Sequence, residues 1–259
     1  MTDRVTTSRE GAVAKITLNR PEALNALENS MIAALVAAIR EAGTDPDVRV
    51  ILIDGAGKAF CAGDDLKDMG TAEHPRSDDL LEEYERGYPA IVKALRDVEK
   101  PTVCAVQRYA LGAGFEIALA CDLIVAERDA KFGLPFALRG IAAGTAVLPR
   151  LVGRHRAARL LFLGEMIDAE TAREWGLVAV LADPGKLGEA VEGVVGPLAT
   201  AATRAIGLMK GAMVASAEAT LAADLRTQAA ITVSSALTRD FAEGAEAFAQ
   251  KRDPQYTGR

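Results

Sequence analysis

TVCAVQRYALGAGFEIALACDLIVA, residues 102–126, carries the pattern on which the fold reading turns. A short apolar run, Thr102 to Val106, leads into the bend Leu111-Gly112-Ala113-Gly114. A brief helical stretch around Glu116 to Ala120 follows, then a second apolar run, Leu123 to Ala126. Short apolar runs closed by turn residues are expected of strands covered on both faces. The same order occurs upstream: Met31, Ile32, Leu35, Val36 and Ile39 recur at helical spacing after the cap candidates Asn29 and Ser30, and stop near Gly43 and Pro46. Val48 to Ile53, closed by Asp54-Gly55, then reads as another buried strand. Ala14, Ile16 and Leu18 alternate with Lys15 and Thr17, the period of a half-buried strand that ends at Asn19-Arg20-Pro21.

One helix is predicted over Leu80 to Leu95. Downstream, Asp168 is an N-cap, Gly176 a helix stop, and Val178 to Leu181 a last strand. Strands alternating with helices imply an α/β fold with largely parallel pairing. From about Pro197 only helical patterns remain, with Phe241, Ala245 and Phe248 on one face, so the division read here is a core over 1–197 and a helical region over 198–259. Lys67 to Asp79, with Gly70, His74 and Pro75, is expected to be a long loop, either of the kind that serves as a lid or binding loop or plainly disordered. The recurrence at roughly fifty residues hints at a coil of similar turns.

A chain of 259 residues buries roughly 70 to 75% of the surface its unfolded form exposes, enough for one large domain without a disulfide or structural metal. Thirty Lys and Arg against 36 Asp and Glu give a net charge of -6, which excludes a sequence-independent affinity for nucleic-acid phosphates. No 18-residue apolar window occurs, and Asp3, Arg4, Arg9 and Glu10 stand where an export signal would be apolar, so a cytoplasmic protein without a membrane anchor is expected. Cys61, Cys104 and Cys121 lack CxxC spacing and read as reduced, buried thiols.

Several signatures fail on inspection. Gly55-Ala56-Gly57-Lys58 lacks the remaining residues of a P-loop, and Gly112-Ala113-Gly114 lacks the third glycine of a dinucleotide fingerprint. With His74 and His155 the only histidines, and no GxSxG, a histidine-based triad is not supported, nor does any cluster suggest a metal. His155, in the basic run Arg154 to Arg159, reads as a solvated polar turn.

Two segments place small residues directly after apolar strands: Ala59-Phe60-Cys61-Ala62-Gly63-Asp64-Asp65-Leu66-Lys67 and Tyr109-Ala110-Leu111-Gly112-Ala113-Gly114-Phe115-Glu116. Ligands of parallel sheets bind at the carboxyl ends of strands. Glycine at 63, 112 and 114 lets a carbonyl approach backbone donors, and the helix opening after Gly112 adds positive potential. One preorganised donor contributes on the order of 3 kcal/mol to a transition state with charge on oxygen. The same glycines are equally compatible with tight strand-to-helix turns alone.

In order and content these segments resemble the crotonase family, also called the enoyl-CoA hydratase/isomerase family. The likeness extends over LNRPEALNAL (18–27), AFCAGDDLKDM (59–69), ALGAGFEIALACD (110–122), FGLP (132–135), GEMIDAETAREWGL (164–177) and EGAEAFAQKR (243–252). The resemblance implies a spiral of ββα turns, C-terminal helices that build a homotrimer or a dimer of trimers, and an acyl-CoA thioester as substrate with no further cofactor. It implies oxyanion donors at the backbone N–H groups of Asp64 and Ala113, and CoA contacts from Ala23, Leu24, Ala62, Gly63, Gly112 and Lys67. Phe248 and Lys251 match positions that in relatives reach CoA, often from a neighbouring subunit, while Phe115 and Phe136 imply an apolar acyl pocket.

Glu116 matches the first of two catalytic glutamates of hydratases. Burial raises the pKa of such a carboxylate and the helix N-terminus lowers it. Twenty residues on, where the second glutamate belongs, stands Phe136, and Gly144 takes the place of an aspartate found in some relatives. Three readings follow: Glu116 alone shuttles a proton, as in isomerisation or unusual hydration; the Asp64 side chain supplies a second carboxylate; or the chain binds acyl-CoA without efficient chemistry. An Asp64 that points to solvent or caps a turn is compatible with the first and third.

Overall fold

The computed structural model describes residues 3–65 and 78–258. Its strands are β1 (Val5–Glu10), β2 (Val13–Leu18), β3 (Val50–Gly55), β4 (Thr102–Val106), β5 (Tyr109–Leu111), β6 (Leu123–Glu127), β7 (Lys131–Gly133), β8 (Met166–Asp168) and β9 (Val180–Ala182). The helices of the core are α1 (Asn29–Thr44), α2 (Leu80–Glu85), α3 (Tyr88–Asp97), α4 (Ala113–Ala120), α5 (Leu148–Val152), α6 (Arg154–Leu163), α7 (Ala169–Glu174) and α8 (Leu187–Thr200). After them come α9 (Thr203–Ser216), α10 (Leu221–Ala236) and α11 (Arg239–Gln250).

Among the described residues six strands form one sheet in the order β1-β2-β3-β4-β6-β9, and three form a second, β5-β7-β8. The larger sheet is antiparallel at β1-β2 and parallel elsewhere. Its central strands are apolar on both sides because both are covered. Ile51, Ile53, Cys104, Val106, Ile124 and Ala126 face the main core, while Val50, Leu52, Val103, Ala105 and Val125 pack against Val191 and Val195 of α8. On α1 the spacing of Met31, Leu35 and Ile39 keeps one stripe fully buried, each such side chain contributing about 1.5–3 kcal/mol.

Several boundaries differ from the sequence reading. The helix expected over Leu80 to Leu95 is two, because Gly87 closes a turn on the Tyr84 carbonyl at 3.2 Å and Pro89, which has no N–H to donate, sits in the first turn of α3. The strand expected at Val48 to Ile53 runs Val50–Gly55, since the Val48 amide is spent on a turn to Asp45. The last strand is Val180–Ala182, two residues later at its start than expected, and α4 begins at Ala113, three residues before Glu116. Strands β1, β5, β7 and β8 are additions to the sequence reading. Asp168 caps α7 through its side chain, accepting from the Thr171 amide at 2.9 Å.

Pro197, the division point read from sequence, lies inside α8. Beyond it, α9 packs on α3, α8 and α10, and Lys210 of α9, buried, pairs with Asp122 at 2.8 Å. Phe241 and Phe248 of α11 are exposed in the single chain, as are Leu221 and Leu237 at the ends of α10. Most of the expected loop from Lys67 to Asp79, including Lys67 and His74, falls outside the described residues; His155 is exposed on α6. Among the described residues no helix is long and apolar enough to cross a membrane.

Candidate active site

Buried Asn25 organises the first glycine segment. Held with a left-handed backbone (φ 56°), it donates from its side chain to the carbonyls of Ala56 (2.9 Å) and Ala59 (2.8 Å). The chain then runs beside β5: the Cys61 amide donates to the Tyr109 carbonyl and the Leu111 amide to the Cys61 carbonyl, both at 3.0 Å. Next the Ala62 amide donates to Leu24 (3.0 Å), Leu27 to Gly63 (2.8 Å) and Asp65 to Leu27 (2.9 Å). A parallel bridge of that kind occupies the groups on either side of Asp64 and turns the Asp64 N–H the other way. The salt bridge Arg20–Asp65, 2.6 Å, fixes the two stretches to each other.

The second glycine segment is fixed by the smaller sheet. Gly112, at φ 52° and ψ -128°, donates to the Gly133 carbonyl at 2.9 Å, and its own carbonyl accepts from Phe115 and Glu116 to start α4. Among the described residues neither the Asp64 nor the Ala113 amide donates to a backbone carbonyl. Gly63 brings the two segments together: a Cβ built on it would lie 2.9 Å from the Leu111 carbonyl oxygen and 3.5 Å from the Gly112 Cα. Its φ of 100° is also one that side chains rarely adopt.

A cavity of about 410 Å³ opens at this junction, lined by Ala62, Gly63, Asp64, Tyr88, Gly112 and Phe136 and, at its apolar end, by Ile32, Ile141 and Ala143. That volume is ordinary for a small-molecule site. Two wider clefts, 640 and 520 Å³, contain neither Gly63 nor Gly112. Phe136 stands on the wall, its ring 3.7 Å from the Cβ position of Gly112.

Glu116, in the first turn of α4, is 1% exposed, and among the described residues its Oε1 has no hydrogen-bond partner. Burial pushes its carboxyl up to about 7, so desolvation outweighs the helix N-terminus. The Asp64 carboxyl, mostly shielded from solvent, is pushed up to about 6 by burial and held back partly by its own amide. Asp64 lines the cavity instead of facing solvent alone.

Tyr88 is the residue that sequence reasoning missed. With a continuous helix expected from Leu80 nothing singled Tyr88 out; the only local signal was Gly87-Tyr88-Pro89, a helix restart. Ala23 ends a short 3-10 turn over Pro21–Ala23, and Leu24 follows at φ 51°, beside Ala62. Phe248 and Lys251 lie on and just after α11 and do not line the cavity of their own chain. Lys67 lies outside the described residues. Among the described residues no group of three or more His, Cys, Asp or Glu side chains is arranged to hold a metal ion.

Comparison with known proteins matches residues 8–259 to the family described as Enoyl-CoA hydratase/isomerase. The chain is 37% identical over 253 residues to 1,2-epoxyphenylacetyl-CoA isomerase of Escherichia coli (strain K12), covering 96% of this chain and 97% of that one. To (E)-benzylidenesuccinyl-CoA hydratase of Thauera aromatica it is 36% identical over 265 residues, 98% and 99% of the two chains. Among solved structures, an enoyl-CoA hydratase of Mycobacterium smegmatis superposes with a TM-score of 0.91 at 30% identity, over 98% of this chain and 99% of that one. An enoyl-CoA hydratase of Polaromonas sp. JS666 gives 0.88 at 32%, over 97% and 99%.

Proposed function

The chain belongs to the enoyl-CoA hydratase/isomerase family and has the crotonase fold, and from that premise we propose that it transforms an acyl-CoA thioester through an enolate, with Glu116 as acid and base. The thioester carbonyl accepts from the Asp64 and Ala113 amides. Charge moving onto that oxygen is met by two donors already oriented, which makes the neighbouring carbon more acidic. The observation that carries the reading is the Glu116 carboxyl: buried, among the described residues without a hydrogen-bond partner at Oε1, and on the helix whose first amide donates to no backbone carbonyl among those residues. A group whose pKa lies near the working pH both takes and returns a proton efficiently, and Glu116 is pushed to about 7.

Asp64 supplies the second carboxyl that position 136 lacks. In hydration, one carboxylate takes a proton from water as its oxygen bonds to C3, the π electrons move toward the thioester oxygen, and the other carboxyl gives a proton to C2. In double-bond isomerisation a single carboxyl removes a proton from one carbon and returns it to another. Both reactions need only proton carriers and the substrate's own CoA. CoA runs past Ala23, Leu24 and Ala62 in this reading, with Phe248 and Lys251 of a neighbouring subunit closing over it. Bacterial relatives support a cytoplasmic setting.

A second reading, acyl-CoA binding without efficient chemistry, is favoured by Phe136 alone. Turnover separates the two. Loss of 2-enoyl-CoA absorbance, or conversion of a 3-enoyl-CoA, is expected in the wild type and is expected to fall at least about a hundredfold in Glu116→Gln. Tight binding of acyl-CoA with no conversion of either substrate decides for the binding protein.

A further inference from the structure

The cavity lining includes a phenol, that of Tyr88. Tyr88 opens α3, and its ring stacks on Phe136 with centroids 6.4 Å apart and planes inclined by 19°. Phe136 is in turn braced by Gly112 and by Gly144, whose built Cβ would lie 3.3 Å from the same ring. The Gly144 backbone and the carboxyls of Glu116 and Asp64 are near enough to the phenol to shift its pKa, the first downward and the other two upward. Asp64, Tyr88 and Phe136 line the one cavity, and Glu116, whose Oε1 has no hydrogen-bond partner among the described residues, is buried close enough to act on the Tyr88 phenol.

We infer that Tyr88 is a positioning residue for the reacting water, held between the carboxyls of Asp64 and Glu116 in the place where a carboxylate at position 136 would otherwise anchor it. This rests on the enolate reading above. The oxygen chemistry is consistent. A phenolic lone pair accepts an O–H of water, and the phenolic O–H donates to an ionised carboxylate. The water donates its remaining O–H to the carboxylate that will take that proton, leaving its own lone pair for C3. Bond formation at C3, proton uptake by one carboxyl and proton delivery to C2 by the other leave the phenol neutral throughout. Burial and the two carboxyls raise the phenol's pKa, which keeps it a donor. Phe136 contributes the flat face that fixes the ring, and substrates that react without water have no use for the hydroxyl.

Tyr88→Phe keeps the ring and its stack, so it tests the hydroxyl alone. Hydration of a short 2-enoyl-CoA is compared with deuterium uptake at C2 of the corresponding saturated acyl-CoA in heavy water, which needs the amides and Glu116 but no positioned nucleophile. Hydration kcat is expected to fall about tenfold or more, with C2 exchange and saturated acyl-CoA affinity within about twofold. Parallel losses, or no loss of hydration, overturn the assignment of Tyr88 while Glu116→Gln still tests the enolate reading separately. If the wild type hydrates without measurable exchange, a loss confined to kcat with unchanged acyl-CoA affinity upholds the assignment and a shared loss overturns it. A wild type that exchanges but does not hydrate overturns the water role only; one that does neither overturns the enolate reading and this inference together.

Discussion

Glu116 sets two demands against each other at the scale of a single side chain. Its carboxyl is buried where charge is disfavoured, yet a proton carrier must spend part of its time charged. With a native pKa of about 7 against 4.5 in the unfolded chain, the folded form binds more protons than the unfolded one between those values. Stability therefore falls as pH rises through that window, and the cost is fully present above it. Glu116→Gln removes the titration. Its stability relative to wild type is expected to rise by roughly 2 kcal/mol between pH 5 and pH 8 in denaturant melts; a pH-independent difference would contradict the raised pKa. Asp64 shifts the same way to about 6. If it is the second carboxyl, Asp64→Asn lowers hydration by about a hundredfold, and adding Phe136→Glu to that variant restores part of the rate. A double variant no faster than Asp64→Asn, with the fold intact, counts against Asp64 in that role.

Elements explain why the family's short motifs are where they are, and several of their residues serve the scaffold. Asp122 accepts from the Thr102 amide and hydroxyl, both at 2.8 Å, and pairs with Lys210, tying β4 to α9. Glu243 receives two bonds from Arg252, 2.6 and 2.9 Å, closing the turn after α11. Gly114 is steric: a Cβ there would meet the Cys61 carbonyl oxygen at 2.6 Å and Sγ at 2.8 Å, so α4 lies directly on the first segment only because position 114 has no side chain. Gly114→Ala is expected to push α4 off Cys61 and carry the Ala113 amide with it. The outcome is a stability loss of about 1–3 kcal/mol and a drop in kcat of about a hundredfold, read from melts and turnover on the same preparation. Retained kcat would mean that the amide does not need this packing.

The elements also mark what was legible beforehand. Strands β3, β4 and β6 are apolar on both faces and α1 has a continuous buried stripe, so periodicity alone located them within a residue or two. By contrast β5, β7 and β8 are three residues each and exist through pairing, β5 with β7 and Cys61 and β7 with β8, and β1 is polar and mostly exposed. No local pattern announces such strands. Both glycine segments and Glu116 were readable as motifs, whereas Tyr88 depends on a helix break and a cavity that only tertiary packing creates.

At the scale of the whole molecule, the C-terminal helices leave an unpartnered apolar surface. No residue of α10 is buried, and Leu237 and Phe248 are 83% and 87% exposed. We propose that these exposed apolar side chains meet another copy of the chain. The motif residues Phe248 and Lys251 lie on the same part of the chain, away from its own cavity, which fits a head-to-tail ring in which each subunit completes a neighbour's CoA site. A trimer or a dimer of trimers is therefore expected by solution mass measurement. Leu237→Asp, which buries a charge in such an interface, is expected to give monomers whose KM for acyl-CoA rises about tenfold or more. In the same samples kcat at saturation changes less than KM, because Glu116, Asp64 and both amides come from one chain. A wild type that is monomeric at full acyl-CoA affinity, or a Leu237→Asp variant that stays assembled, would remove the subunit-completion account and leave the intrachain site as it stands.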